Sequence, residues 1–196
     1  MDVRRLVENL ERLKGMLDGE VVPPPDRIKR RHLVHLVRSR QLDVFVESGT
    51  YLGDTVAYVL PHVQRAITIE LESTYWEMAC ARFEGDERVE VLRGDAIDLI
   101  PAVLGDIQRP ALVWLDGHFT GGVSTVQGRE LEPAPAILRS LSKVQLAAGT
   151  TLVVDDLRLF GQGQGFPTLD DLVGSAHTAF PTGRIYAGVD SLVIET

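Results

Sequence analysis

The segment that most restricts the fold is residues 44–55, Val-Phe-Val-Glu-Ser-Gly-Thr-Tyr-Leu-Gly-Asp-Thr. Val44, Phe45 and Val46 have the β-branched and aromatic character of a buried strand. The strand ends on a carboxylate, Glu47, turns through Gly49 and Gly53, and enters a helix at Asp54. A strand that runs through glycines into a helix opens a crossover unit, and an open α/β sheet holds its ligand just beyond the carboxyl end of such a strand. The spacing is not G-x-G-x-x-G. An acid two residues before the first glycine repels a pyrophosphate and attracts a cationic, amine-bearing ligand. The loop therefore points away from dinucleotides.

The rest of the chain alternates short apolar runs with helical patterns. Strands are expected at 43–47, 66–70, 89–92, 111–115, 151–154, 184–187 and 191–195. Helices are expected from 54 to the stop at Pro61, and over 73–83, 96–104, 134–144 and 168–180. Strict alternation means crossover connections and a mostly parallel sheet. The expectation is an α/β, Rossmann-like, doubly wound sheet of seven strands. Its last two strands form an antiparallel hairpin across Gly188-Val189-Asp190.

Two further helical segments precede this pattern. Leu6, Leu10, Leu13 and Leu17 form a stripe over residues 3–17, and Pro23-Pro24-Pro25 end it. Residues 26–40 resume a helix with Leu33, Leu36 and Val37 on one face. That helix also carries Arg27, Lys29, Arg30, Arg31, Arg38 and Arg40, which reads either as a solvated face or as a lid facing an anion. The division expected is a helical appendage or lid over 1–40 and a ligand-binding domain over 41–196. The leucine stripe allows docking on the chain's own sheet or on a second copy in a homodimer.

Composition sets outer limits. A net charge of −8 disfavours a protein that coats nucleic acid. The single cysteine, Cys80, excludes an internal disulfide and a multi-cysteine metal site, and its helical setting suggests a buried thiol. No apolar run approaches the roughly 18 residues of a membrane span, and no export-type segment follows Met1-Asp2-Val3-Arg4-Arg5. The expected partners are small molecules rather than nucleic acid or membrane, and the expected location is the cytoplasm.

The chemistry is read at the strand ends. The first offers Glu47 and the Gly49–Gly53 turn with Thr50, Tyr51 and Thr55. The second ends on Glu70, which reads alone either as a solvent-facing strand end or as a carboxylate whose two oxygens accept both hydroxyls of a ribose, the reading that the first loop favours. The third leads to Asp95 and Ala96, where Asp95 suits either an adenine amino group or the cap of the next helix. The fourth ends in Asp116-Gly117-His118-Phe119-Thr120-Gly121-Gly122, and the fifth in Asp155-Asp156. Adjacent acids after a buried strand need a cation or a donor between them. Asp116, Asp155 and Asp156 make an oxygen-rich set of the kind magnesium accepts. Against this stands a plainer reading, in which Asp155 caps a turn and Asp156 pairs with Arg158. An acid in the first loop and a ribose-type acid after the second strand suit S-adenosylmethionine, which carries a sulfonium and an ammonium.

Residues 43–196 resemble the class I S-adenosylmethionine-dependent methyltransferases. The segment 47–55 is similar to that of the catechol and caffeoyl-coenzyme A O-methyltransferases, and Ile67-Thr68-Ile69-Glu70 to their ribose-binding strand. A closer resemblance is to a group of small bacterial methyltransferases. The shared features are Pro23-Pro24-Pro25 with Lys29, Trp114-Leu115-Asp116-Gly117-His118 before Gly121-Gly122, and Asp155-Asp156 followed by Arg158. The macrocin-type sugar O-methyltransferases have a comparable layout. The resemblance implies methyl transfer to an oxygen of a small acceptor. It implies that Glu47 and the Gly49–Gly53 turn hold the methionine end, Glu70 the ribose, and Asp95 with Ala96 the adenine. It also implies a magnesium ion on Asp116, Asp155 and Asp156, with His118 as the base; a metal-free form with His118 acting alone stays open. The residues also leave open a module that binds S-adenosylmethionine without turnover and, less in keeping with Glu47, a nucleotide-dependent oxidoreductase. The Phe119–Glu132 loop and the N-terminal 40 residues are expected to cover the acceptor.

Overall fold

A computed structural model of the protein describes residues 22–118, 128–162 and 166–196. The helix expected over 3–17 and the segment Phe119–Gly122 lie outside the described residues. The elements follow in the order α1 (Asp26–Arg40), β1 (Val44–Ser48), α2 (Asp54–Val59), β2 (Arg65–Glu70), α3 (Ser73–Arg82) and β3 (Val89–Arg93). They continue with α4 (Ala96–Asp106), β4 (Ala111–Leu115), α5 (Ala134–Leu141), β5 (Thr151–Val154), α6 (Leu169–Ala179), β6 (Arg184–Ala187) and β7 (Leu192–Glu195). Short 3-10 turns follow α2 at Leu60–His62 and β5 at Leu157–Leu159.

The seven strands form one sheet in the order β3-β2-β1-β4-β5-β7-β6. All pairings from β3 to β5 are parallel, and β7 runs antiparallel to both β5 and β6. The chain winds outward from β1 in both directions, so the reversal of strand order falls between β1 and β4. In open α/β sheets that is where the ligand crevice opens.

Alternation along the strands builds two cores. Val44, Val46, Ile67, Ile69, Val113 and Leu152 face α4, α5 and α6, and meet Ile100, Leu104, Ile137, Leu138 and Leu172. Phe45, Ala66, Leu112, Trp114, Val153 and Val193 face the other way, onto Val56 and Val59 of α2 and Leu33, Val34, Leu36 and Val37 of α1. The helix at 26–40 therefore covers one face of the sheet. Its apolar stripe is the one read in the sequence, widened by Val34.

The helices have local reasons to begin where they do. Thr168 accepts from the Asp171 amide while Asp171 accepts from the Thr168 amide, a reciprocal cap on α6. Asp95 caps α4 by accepting from the Ile97 amide. α5 ends at Leu141, short of the expected residue 144, because Ser142, Lys143 and Val144 bond back over three residues in turns. Cys80 is half-buried on α3, whose one fully buried residue is Ala79, so it is not the core thiol expected. No helix of the described residues is long and apolar enough to cross a membrane.

Leu33 is fully buried between α1 and the sheet. Leu33→Ala should therefore lower the unfolding free energy by roughly 2–5 kcal/mol, as removal of a core leucine does, in urea denaturation. A loss under about 0.5 kcal/mol, the range of surface changes, would show that α1 is not part of the core.

Candidate active site

The register of the sheet assembles the site. Ser48 pairs with Ile69 and Leu115, Ile69 with Leu92, and Leu115 with Val154. Five strands thus end at one level, and the residues that emerge next are Gly49, Glu70, Arg93, Asp116 and Asp155. Beyond them lies a cavity of about 370 Å³, within the range of small-molecule sites. Its wall runs from Glu70, Tyr75, Asp95 and Ala96 past Ser48, Gly49 and Tyr51 to Asp116, Gly117 and His118. Gly128, Arg129 and Glu130 close another side.

Gly49 is required twice over. Its φ is +86°, and a Cβ there would stand 2.5 Å from the Asp116 carbonyl oxygen. β1 and β4 can end side by side only because this residue has no side chain. Tyr51 also has a positive φ, of 48°, and its ring meets Tyr75 edge to face at the cavity. The remaining members of the expected first loop are placed differently. Thr50 turns inward, its hydroxyl 2.6 Å from that of Thr68; Gly53 packs beneath the Phe83 ring; Thr55 sits in the first turn of α2.

Glu47 lies behind the wall, 2% exposed, and accepts from the Thr68 hydroxyl at 2.9 Å. Burial pushes its carboxyl up to about 8, against the Thr68 hydrogen bond and the Arg30 charge, which lower it. Glu70 accepts two backbone N–H groups, from Tyr51 and Glu72, at 2.9 Å each. This fixes the carboxylate at the cavity wall and ties the first loop to the second. Asp95 uses one oxygen for the helix cap and the other for Arg129, whose Nε stands 3.2 Å away.

The fourth and fifth strand ends meet at His118. Its Nδ1 is 3.8 Å from Asp116 Oδ1 and its Nε2 is 3.5 Å from Asp156 Oδ2. Burial holds the imidazole below its ordinary range, partly offset by Asp156. Asp116 is pushed well above the usual carboxylate range by burial and then by Asp155 and Asp156. The Phe166 ring packs edge-on against His118 at 5.7 Å. Glu132, buried nearby, is pushed up to about 7 by burial.

The cation between the fifth-strand acids is in the chain itself. Lys29, reaching in from α1, donates to Asp155 Oδ2 at 2.7 Å and to Asp156 Oδ1. Arg158 donates to Asp156 Oδ1 at 2.6 Å and to Asp190 on the β6–β7 turn. Burial works against the charge of Lys29, but Asp155 and then Asp156 outweigh it and raise its pKa. Burial likewise works against the Asp156 carboxylate, and the bonds from Arg158 and Lys29 bring it below the usual range.

These residues do not fit the magnesium site that the resemblance implied. Among the described residues, the sets whose candidate ligand atoms lie within 4.8 Å of one another are Asp116–His118–Asp156 and Asp155–Asp156–Asp190; Asp116, Asp155 and Asp156 do not form one. Both sets include Asp156, on which Lys29 and Arg158 converge. A divalent ion 4 Å from the ammonium would be repelled by about 8 kcal/mol at an effective dielectric of 20, so an ion and the Lys29 ammonium compete for one place among these carboxylates. The plainer sequence reading, Asp156 on Arg158, is part of what the structure contains. Lys29 was legible only as a member of a motif, and nothing local in the sequence marks Asp190 or Arg129.

Glu47 gives a pH test. A buried carboxyl with its folded pKa raised to about 8 keeps its proton where the unfolded chain, near 4.5, has lost it. Its contribution to stability is complete below pH 4.5 and is lost as pH rises through 8, by up to about 1.4 kcal/mol per pH unit. Glu47→Gln should therefore flatten the decline of unfolding free energy across that window. An unchanged slope in denaturant titrations at several pH values would refute the assignment.

No protein-family model matches the sequence, and no curated protein matches it. Solved structures do. An O-methyltransferase from Bacillus cereus in complex with S-adenosylhomocysteine superposes with a TM-score of 0.58 at 17% identity, over 100% of this chain and 90% of that one. The O-methyltransferase TomG from Streptomyces achromogenes, in complex with S-adenosylmethionine, gives 0.54 at 21% identity over 89% and 80%. The N-methyltransferase NodS from Bradyrhizobium japonicum, with S-adenosylhomocysteine, gives 0.58 at 14% over 88% and 87%. At these identities the likeness speaks for architecture: the chain has the Rossmann-like fold of the S-adenosylmethionine-dependent methyltransferases.

Proposed function

We propose that the protein transfers a methyl group from S-adenosylmethionine to an oxygen of a small hydroxylated acceptor. The observation that carries this is the continuity of the cavity, from Glu70 and Asp95 at one end to Asp116 and His118 at the other. In this reading Glu70 takes the ribose hydroxyls, and Asp95 with Ala96 lies along the adenine. Gly49 and Tyr51 flank the methionine end, with Ser48 Oγ, buried and without a partner among the described residues, available to it. Glu47, behind the wall and held protonated by burial despite the Arg30 charge, would ionise once the ligand's ammonium lay close to it. Structures of this fold hold S-adenosylmethionine or its product in other proteins, and their acceptor atoms include both oxygen and nitrogen. The oxygen acceptor is favoured here by the imidazole with a carboxyl on each side.

The donor is already activated, so the protein supplies orientation, desolvation and proton removal. The acceptor oxygen attacks the sulfonium methyl in line; the carbon–oxygen bond forms as the carbon–sulfur bond breaks, and that electron pair stays on sulfur. The Asp156 carboxylate opposite Nε2 favours the ring proton there, which leaves Nδ1, beside Asp116, to take the hydroxyl proton. A neutral imidazole is what a base requires at pH 7, and burial favours it. No step is assigned to magnesium.

Calorimetry with S-adenosylmethionine should give micromolar binding, weakened roughly tenfold or more in Glu70→Ala. His118→Ala should bind the donor as the wild type does and lose about 10²–10⁴ in turnover, read as S-adenosylhomocysteine release over a panel of hydroxylated acceptors. Wild-type activity should hold down to below the ordinary histidine range and fall as pH drops through the depressed pKa of His118. Donor binding without turnover on any acceptor would leave a binding module, and no binding at all would sink the cofactor assignment.

A further inference from the structure

We propose that Lys29 is the resident cation of the acceptor site. Its ammonium takes the place between the fifth-strand carboxylates that a divalent metal would otherwise take, and fixes Asp156 against His118. This rests on the reading of the cavity as a methyl-transfer site. The lysine comes from the far end of the sequence, more than 120 residues before its partners. Its helix is held on the sheet by Leu33, Leu36 and Val37, so the ammonium is delivered by a rigid element. The Lys29 side chain is only 11% exposed, and Asp155 and Asp156 are buried. With Asp190 Oδ2 also 4.0 Å away, three carboxylates surround one ammonium.

The geometry then runs outward to the cavity. Lys29 and Arg158 converge on Asp156 Oδ1, which leaves Oδ2 for His118 Nε2 at 3.5 Å. Asp156 is the left-handed residue of its turn, with φ +53°. A metal ion bound to Asp116, His118 and Asp156 would take an imidazole lone pair and leave a poorer base. An ammonium on Asp156 leaves both ring nitrogens to carry or receive a proton. Lys29 is thus a positioning residue, acting on the acceptor through Asp156 and His118. One oxygen, Asp155 Oδ1, is buried without a partner among the described residues. A single such ligand cannot hold a six-coordinate ion, though it would contribute to one once the ammonium is gone.

The test uses Mn²⁺ alone as the probe, on the full chain, with free Mn²⁺ read by electron paramagnetic resonance. Wild type and Lys29→Arg should bind no Mn²⁺ at this site at millimolar concentration. Lys29→Ala should gain one ion per chain, at least about tenfold tighter than wild type, because removing the ammonium leaves Asp155 without a counter-charge and Asp156 with Arg158 alone. Adding Asp156→Asn to Lys29→Ala should abolish that gain. A lysine that does not neutralise these carboxylates would not create a metal site on removal. Wild type binding one Mn²⁺ that Asp156→Asn removes would overturn the proposal, as would Lys29→Ala gaining none while still melting cooperatively. If Lys29→Ala does not fold, Lys29→Met keeps the alkyl packing, and the wild-type and Asp156→Asn titrations decide without either. S-adenosylhomocysteine binding is measured alongside; its failure in wild type would sink the methyl-transfer reading while the Mn²⁺ titrations still decide the role of Lys29.

Discussion

Parallel pairing of β1 with both β2 and β4, in phase at Ser48, Ile69 and Leu115, is the constraint from which the site follows. It requires two chain segments to leave the sheet at one level and pass within contact of each other. Gly49 makes that passage possible, since any Cβ would meet the Asp116 carbonyl. A one-residue slip in either ladder would turn every side chain to the opposite face and take Glu70 or Asp116 out of the cavity with it. Register and site are therefore one specification. The hydrogen bonds from Tyr51 and Glu72 to Glu70 reinforce it, since they tie two loops to a single carboxylate.

The carboxyl edge gathers more acid than a partly dry environment can hold ionised. Glu47, Asp116, Glu132 and Asp155 are all pushed upward, with burial the first cause in each. Asp156 goes the other way because two cations reach it. Acids with unlike environments side by side are what acid–base chemistry at neutral pH needs, and such pairs separate the roles of otherwise equivalent carboxyls. Here the separation is made by where the lysine and the arginine fall.

The strands and their order of appearance were legible because burial on both faces leaves continuous apolar runs, as at 111–115 and 151–154, and turn residues mark their ends. The acids at the strand ends were legible because they follow those runs directly. What was not legible is contact between distant segments. Residues 26–40 gave an amphipathic helix with six basic residues, and periodicity cannot say that one of them turns inward. Lys29 lies next to Arg30 in the sequence, yet its ammonium goes to Asp155 and Asp156 while the Arg30 guanidinium lies near Asp54. Asp190 looked like an ordinary hairpin residue, and its carboxylate instead braces Arg158 from the β6–β7 turn. The adjacent acids at 155–156 announced that a cation was needed, and the choice between a metal and a side chain lay beyond what local spacing records.

A side chain in that place also ties the N-terminal helix to the cavity. A metal site draws its stability from ions in solution and can be assembled after the sheet has folded. A lysine in the same place makes the Asp156–His118 arrangement conditional on the docking of α1. The apolar residues that dock α1, Leu33, Leu36 and Val37, lie one to two turns along the helix from Lys29. Their packing on Phe45, Leu112 and Trp114 therefore sets the position of the ammonium, and with it the carboxylate that faces His118. The same helix that covers a face of the sheet thus completes the charge balance of the site, so that the hydrophobic and electrostatic parts of the structure meet at α1.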